Sequence, residues 1–327
     1  MAQPATVLYI LGAWVLAGSG NLLLQGILLA QFAHYVAMFP TDKLALRAFV
    51  VLLIVVTTLK STLGLVNTWQ QNVVFFGDTN RALAWSKAPI NKLNVVWAAL
   101  IAFYVQLFFL QRLWVISRNM YVVGILLVLL VFALAAAVVS TAKTFVTNDF
   151  HSPWLGTYLA AGFAGDTLLC GSTVYFLSKL SQESSTPTST KLNAIVRLTF
   201  QSSAPAAVCA LVNFACNVGS SRTGGSNRFG AVAIVSNQLL PTLYAISAVW
   251  TLNSRERIRL AQSVSLSAGI AHMSSESPST VSSNVLELGV LPRVGSLGVI
   301  PTFAQVRTAH QIDTEEESVK ADYLSSP

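Results

Sequence analysis

The chain has 327 residues, of which 54% are hydrophobic and 10% charged, with a mean hydropathy of +0.61. A soluble fold of that length needs about a quarter of its residues charged to cover its surface, so soluble classes are excluded; three Cys and 19 Gly likewise exclude disulfide-stapled and collagen-like chains. The net charge of +7 is uneven, +9 over residues 1–253 and −2 over residues 254–327. The basic excess therefore sits in and beside apolar segments, where it reads as topology and attraction to anionic lipid. The lipid bilayer is the expected partner, and no basic–aromatic groove points to nucleic acid.

A hydrocarbon layer about 30 Å thick takes roughly 20 apolar residues at 1.5 Å each. Seven segments meet or approach that length: 7–32, 44–66, 95–117, 121–141, 154–177, 195–218 and 229–252. The first has no basic n-region and exceeds the 7–15 residues of a signal-peptide core, so a retained anchor is expected. No lipidation box is visible. The connection 67–94, with Trp69 and Trp85, predicts a structured outer loop, while Trp69, Trp114, Trp154 and Trp250 at span edges fit an interfacial belt. The sixth segment is the most polar, with Arg197, Gln201, Ser202 and Ser203 in its first half. Pro205 and Pro241 are expected to kink the last two spans, each freeing a carbonyl one turn earlier.

After Asn253 the character changes. The remaining 74 residues hold 14 Ser and the acidic run Asp313–Ser318, and a largely disordered cytoplasmic tail follows from that composition. The predicted fold is thus all-α: a polytopic seven-transmembrane-helix bundle (1–253) followed by a tail (254–327).

Orientation comes from Lys and Arg near span ends. With the N-terminus outside, the inner flanks carry ten: Lys43, Arg47, Arg112, Arg118, Lys179, Lys191, Arg197, Arg255, Arg257 and Arg259. The outer flanks carry seven: Lys60, Arg81, Lys87, Lys92, Lys143, Arg222 and Arg228. The bias predicts an outer N-terminus and a cytoplasmic C-terminus.

Asp166 is the only carboxylate well inside a predicted span. Placing a charge at that depth costs about 2.5–3.5 kcal/mol on insertion scales, so it must face the bundle or be protonated. It is either a ligand, ion or proton site, or a hydrogen-bond hub between helices. Gln25, Gln106, Gln201, Asn213, Asn237 and Gln238 also lie at membrane depth. Asp166, Gln106, Asn213 and Asn237 form the candidate intramembrane polar site; the same amides could serve only as interhelical glue. Gly156, Ala160 and Ala164, and Ala161 with Gly165, recur every four residues and predict close helix packing.

Cys170, Cys209 and Cys216 lie within spans and are expected to be free thiols. His34, His151, His272 and His310 form no metal or haem pattern, and the glycine-rich Gly219–Ser226 lacks the lysine of a phosphate loop. No cofactor is implied, and no nucleophile–base arrangement points to an enzyme. A retinal protein needs a lysine in its last span, and 229–252 has none. A rhodopsin-like receptor is disfavoured by outer loops without Cys; Pro241 and Tyr244 do form a P-x-x-Y spacing, but Leu240 stands where that motif expects Asn.

Several ordered segments resemble one family. Leu23–Lys43 (LLQGILLAQFAHYVAMFPTDK) is similar to a G-x-L-x-x-Q…Y…F-P-x-D opening, and Gln106–Ser117 (QLFFLQRLWVIS) to a third-helix Q-x-F-F…R-I…L-S segment. Gly165–Leu177 resembles a fifth-helix A-D…Y-x-L pattern with Asp166 at its acid. Lys191–Ser203 resembles L-x-R-L-I-R-L-T-x-E-T, and Leu243–Arg259 the closing L-Y-S-N-S-L-L-A-x-L-N-x-R. Together they resemble a large basidiomycete (fungal) family of seven-helix membrane proteins catalogued as a domain of unknown function. The resemblance implies fold and localisation and supplies no activity. Gln25 replaces a usual aromatic, Gln201 an acid and Ile246 an Asn.

Three functions are therefore expected in turn. The first is a receptor-like or sensory protein whose small ligand enters a cavity containing Asp166 and whose Ser-rich tail engages a cytoplasmic partner. The second is a transporter or channel using Asp166 for a cation or proton. The third is a non-catalytic membrane scaffold.

Overall fold

The computed structural model describes residues 4–86, 88–147, 153–183, 205–222 and 228–275, and these contain helices and turns but no strand. In chain order the helices are α1 (Pro4–Met38), α2 (Leu44–Trp69), α3 (Thr79–Ser86), α4 (Pro89–Lys92), α5 (Asn94–Ser117), α6 (Met120–Thr147), α7 (Pro153–Glu183), α8 (205–222) and α9 (Arg228–Ser275). Five stretches are long and apolar enough to cross a membrane: Tyr9–Met38, Leu44–Val74, Pro89–Ser117, Met120–Thr147 and Arg228–Glu256. That makes the chain a membrane protein by helix length and composition.

The other two expected spans differ from these five. α7 has 31 residues, long enough to cross, but Gly, Ser, Thr and Asp166 interrupt its apolar surface. The first ten residues of the expected sixth span, 195–204, lie outside the described residues, as do Gln201 and the tail from 276 onward.

Local chemistry sets the turns. α1 ends just before Phe39 and Pro40, because a proline disfavours helical backbone in the residue before it. α5 ends at Ser117 with Arg118 in the left-handed region (φ 53°), its N–H bonded to the Trp114 carbonyl at 3.0 Å. Asn119 then accepts from the Tyr121 N–H at 3.0 Å and starts α6, so two long helices reverse within three residues. A five-residue π-turn, Gln70–Val74, continues α2, and α3 and α4 fill most of the expected 67–94 loop. There the Asn67 side-chain oxygen accepts from Trp85 Nε1 (2.9 Å) and Asn91 Nδ2 (3.0 Å), pinning the segment to the end of α2.

Several helices outrun the expected spans. α1 continues past residue 32 to Met38, and α9 continues past 252 to Ser275, into the expected tail. The start of the α9 extension is held to the last part of α1. Asn253 donates to both the backbone and side-chain oxygens of Gln31 (3.0 and 2.9 Å), and His34 lies 3.3 Å from Glu256.

Buried apolar side chains form three clusters. Leu28, Tyr35, Val50, Leu53, Ile101, Val105, Ala245, Ala248 and Val249 join α1, α2, α5 and α9. Ala133, Ala136 and Ala137 of α6 meet Tyr158, Leu159 and Ala161 of α7. Leu110, Leu113, Leu126, Leu130 and Leu169 close the α5–α6–α7 corner. The span in α9 is the most buried of the five, whereas α1 and α6 leave Leu16, Leu23, Ile125 and Val128 exposed. Such a continuous apolar exterior suits lipid contact.

Of the expected small-residue stripes, one packs. A Cβ at Gly165 would lie 2.9 Å from Leu130 Cδ2, and Ala161 is buried against α6. Gly156 has nothing within 4 Å of that position. The closest approach lies elsewhere: a Cβ at Gly18 of α1 would fall 2.4 Å from Thr68 Oγ1 of α2.

Candidate functional site

Asp166 lies near the middle of α7, partly buried, facing α5 and α9. Gln106 Nε2 of α5 donates to its Oδ1 at 2.7 Å, and the Tyr244 hydroxyl of α9 donates to its Oδ2. Gln106 and Tyr244 also line a cavity of about 30 Å³ with Phe103, Tyr158 and Phe163. That volume suits one or two waters.

Of the expected partners of Asp166, only Gln106 is bonded to it. Asn213 of α8 is buried, but its Nδ2 has no hydrogen-bond partner among the described residues. Asn237 is partly buried and is not among the groups bonded to the carboxylate. Tyr244 is the partner that sequence reasoning missed. Its P-x-x-Y spacing with Pro241 is visible in the sequence, and no signal there links it to a carboxylate on another helix.

Lys60 corrects a second expectation. The basic-residue pattern puts it on an outer flank, yet it sits near the centre of the Leu44–Val74 span and is only 4% exposed. Its ammonium donates to the Gln238 backbone oxygen at 3.1 Å and to Gln238 Oε1 at 3.0 Å. Pro241 lies three positions on within the continuous helix α9; its missing N–H frees the carbonyl of Asn237, the residue before Gln238. The helix continues through the polar stretch Asn67–Asn72 to Val74, which puts Lys60 in mid-span, and that polar stretch is why the sequence alone places it nearer an edge.

Around Lys60 runs a polar seam between α1, α2 and α9. Asn21 donates to Ser61 (3.0 Å) and accepts from Thr242 (2.7 Å); Gln25 donates to Thr58 (2.9 Å) and accepts from Ser61 (3.2 Å). Gln25 is thus engaged at both ends of its amide. Gln238 and Tyr244 are six residues apart, about 9 Å along α9. α9 therefore carries an amine contact on one face and a carboxylate contact on another.

At the α1–α2 turn the resembling segments converge. Asp42 accepts from Arg255 NH2 at 2.7 Å and from the Tyr35 hydroxyl at 3.0 Å, and the Arg255 guanidinium lies 4.8 Å from the Phe39 ring centre. Tyr35, Phe39 and Asp42 of the opening segment are thereby joined to Arg255 of the closing one. The three cysteines are free and partly buried. Among the described residues no group of His, Cys, Asp or Glu is arranged to hold a metal.

Comparison with known proteins gives one positive result. A family of unknown function (DUF6534) matches residues 162–257, a stretch from α7 through α9 that includes Asp166, Gln238, Tyr244 and Arg255. No curated protein and no solved structure matches significantly. The chain is similar to DUF6534 over that stretch, and the similarity brings no activity with it.

Proposed function

We propose that the chain is a seven-helix multi-pass membrane protein, N-terminus outside and C-terminus cytoplasmic, that moves a proton or small monovalent cation through Asp166. It belongs in the transporter or channel class. The observation that carries this reading is the pairing of Asp166 with two neutral partners, Gln106 and Tyr244. A phenol can donate to a carboxylate or accept from its acid, and an amide can do either by rotating. Both protonation states of Asp166 can then be satisfied without stranding a buried polar group. The adjoining space, about 30 Å³, suits water or a bare ion, whereas organic ligands occupy pockets of roughly 300–1,000 Å³. That contrast favours transport over the receptor-like reading.

Topology rests on the basic residues. With Lys60 inside the span, the outer flanks keep six of them against ten inside, which strengthens the inward bias. α7, at 31 residues, reaches about 46 Å, more than a bilayer core. If α7 and α8 cross as a pair, the crossing number stays odd and the termini stay on opposite sides.

The test is flux in sealed vesicles containing the full chain. Imposed proton, Na⁺ and K⁺ gradients should dissipate faster than in empty vesicles, and Asp166→Asn should abolish the difference. Background rates under every gradient, with the protein correctly inserted, would reject the reading and leave a scaffold role.

A further inference from the structure

Lys60 presents a second site, separate from Asp166. A lysine ammonium has three donors. Two go to the backbone and side-chain oxygens of Gln238, both uncharged, and no described carboxylate lies within ion-pair distance. A cation desolvated in mid-membrane calls for a counter-charge. Lys60 and Gln238 line a cavity of about 20 Å³ together with the polar residues Asn67, Asn91 and Asn94 and the indoles of Trp14 and Trp97.

Most of the free polar groups along the walls match one sign of ligand. Asn67 commits its side-chain oxygen to Trp85 and Asn91, which leaves its amide N–H groups as the free function, whereas Asn91 gives its N–H groups to Asn67 and the Trp85 carbonyl and keeps a free oxygen. Trp14 and Trp97 can only donate, and Asn94 makes no side-chain bond among the described residues. No Asp or Glu lines the space. A chamber closed by an ammonium, with more free donors than acceptors along its walls and room for about one water-sized body, fits a small monovalent anion.

The geometry points to an anion site for a halide-sized ion, held by the third N–H of Lys60 together with N–H groups of Asn67, Asn94 and the two indoles. It does not depend on the Asp166 reading.

Trp14 and Trp97 supply the readout. Iodide is titrated into purified full-length protein at constant ionic strength, with gluconate as the bulky balancing anion, and tryptophan fluorescence is followed. Saturable quenching that chloride competes away is expected, superimposed on linear collisional quenching from exposed indoles. Lys60→Met should remove the saturable component. Asn94→Leu should weaken it about tenfold and decides the matter if the lysine variant does not fold, because one charge-assisted donor is lost from a partly exposed position. Quenching that stays linear in the unaltered protein would overturn the site, showing a chamber that holds water only. Saturable quenching unchanged in both variants would overturn it equally.

Discussion

Arg255 and Asp42 are joined at 2.7 Å although 213 residues separate them, and the pair fastens the end of the α9 span to the turn between α1 and α2. Asp42 also takes the Tyr35 hydroxyl, while Arg255 lies over Phe39 and donates to the Leu252 carbonyl at 3.0 Å. Each residue therefore holds more than its charge partner. The clasp lies at one end of the bundle, where water still reaches part of both side chains.

Breaking this clasp should cost a modest amount. Asp42→Asn is expected to lower stability by about 1 kcal/mol, since the pair is partly exposed and screened. Arg255→Ala should cost more, because it also removes the cation–π contact and the Leu252 bond. A double-mutant cycle on thermal unfolding in detergent measures the coupling. Strictly additive losses would show that the two residues act separately.

At the opposite end, Asn67 should matter through its single oxygen. Asn67→Ala leaves Trp85 Nε1 without its acceptor and Asn91 Nδ2 with only its bond to the Trp85 carbonyl, at about 1–3 kcal/mol in all. Protease sensitivity and Trp emission of the 75–93 segment should both rise. A variant as resistant as the parent would mean the α3–α4 segment is held by other contacts.

Gly18 tests the tightest helix contact. Gly18→Ala forces its new methyl onto Thr68 Oγ1 and should cost about 1–3 kcal/mol, the usual penalty of overpacking. Thr68→Ala deletes that oxygen, so the double variant should regain most of the loss. A double variant no better than Gly18→Ala alone would place the strain elsewhere.

Tyr244→Phe removes one of two bonds to Asp166 while keeping the ring in its cluster. The expected cost is about 1.5–3 kcal/mol if the carboxyl is ionised and about half that if it is protonated, because bonds to charge are the stronger ones. Unfolding of Tyr244→Phe beside Asp166→Asn separates the cases. Tyr244→Phe in the Asp166→Asn background should add little.

Membrane character and most helix positions are legible in the sequence because a hydrophobic run of span length has no economical place in a soluble fold. Asp166 and Gln106 are legible for the same reason, as polar groups in apolar runs. Their pairing is not, since the contact crosses from α5 to α7 and depends on helix rotation that no local pattern encodes. Tyr244 is hidden because a tyrosine in a membrane helix is ordinary until its hydroxyl has a partner. Lys60 looks like a flanking residue when the second span stops at residue 66; the π-turn and its valines carry that helix further and move the lysine to mid-depth. Asn213 and Asn237 look equivalent to Gln106 in sequence, but neither is bonded to the carboxylate once α8 and α9 are packed.

The central claim is that Asp166 changes its proton or cation occupancy inside the bundle. Infrared difference spectra of the full chain in lipid, recorded across a pH series with and without Na⁺ or K⁺, read the carboxyl group directly. A carboxyl band that responds to bulk pH or to cation and is missing in Asp166→Asn is the predicted result. A carboxyl signal indifferent to both, in protein that is folded and inserted, would contradict it and make Asp166 a fixed strut between α5, α7 and α9.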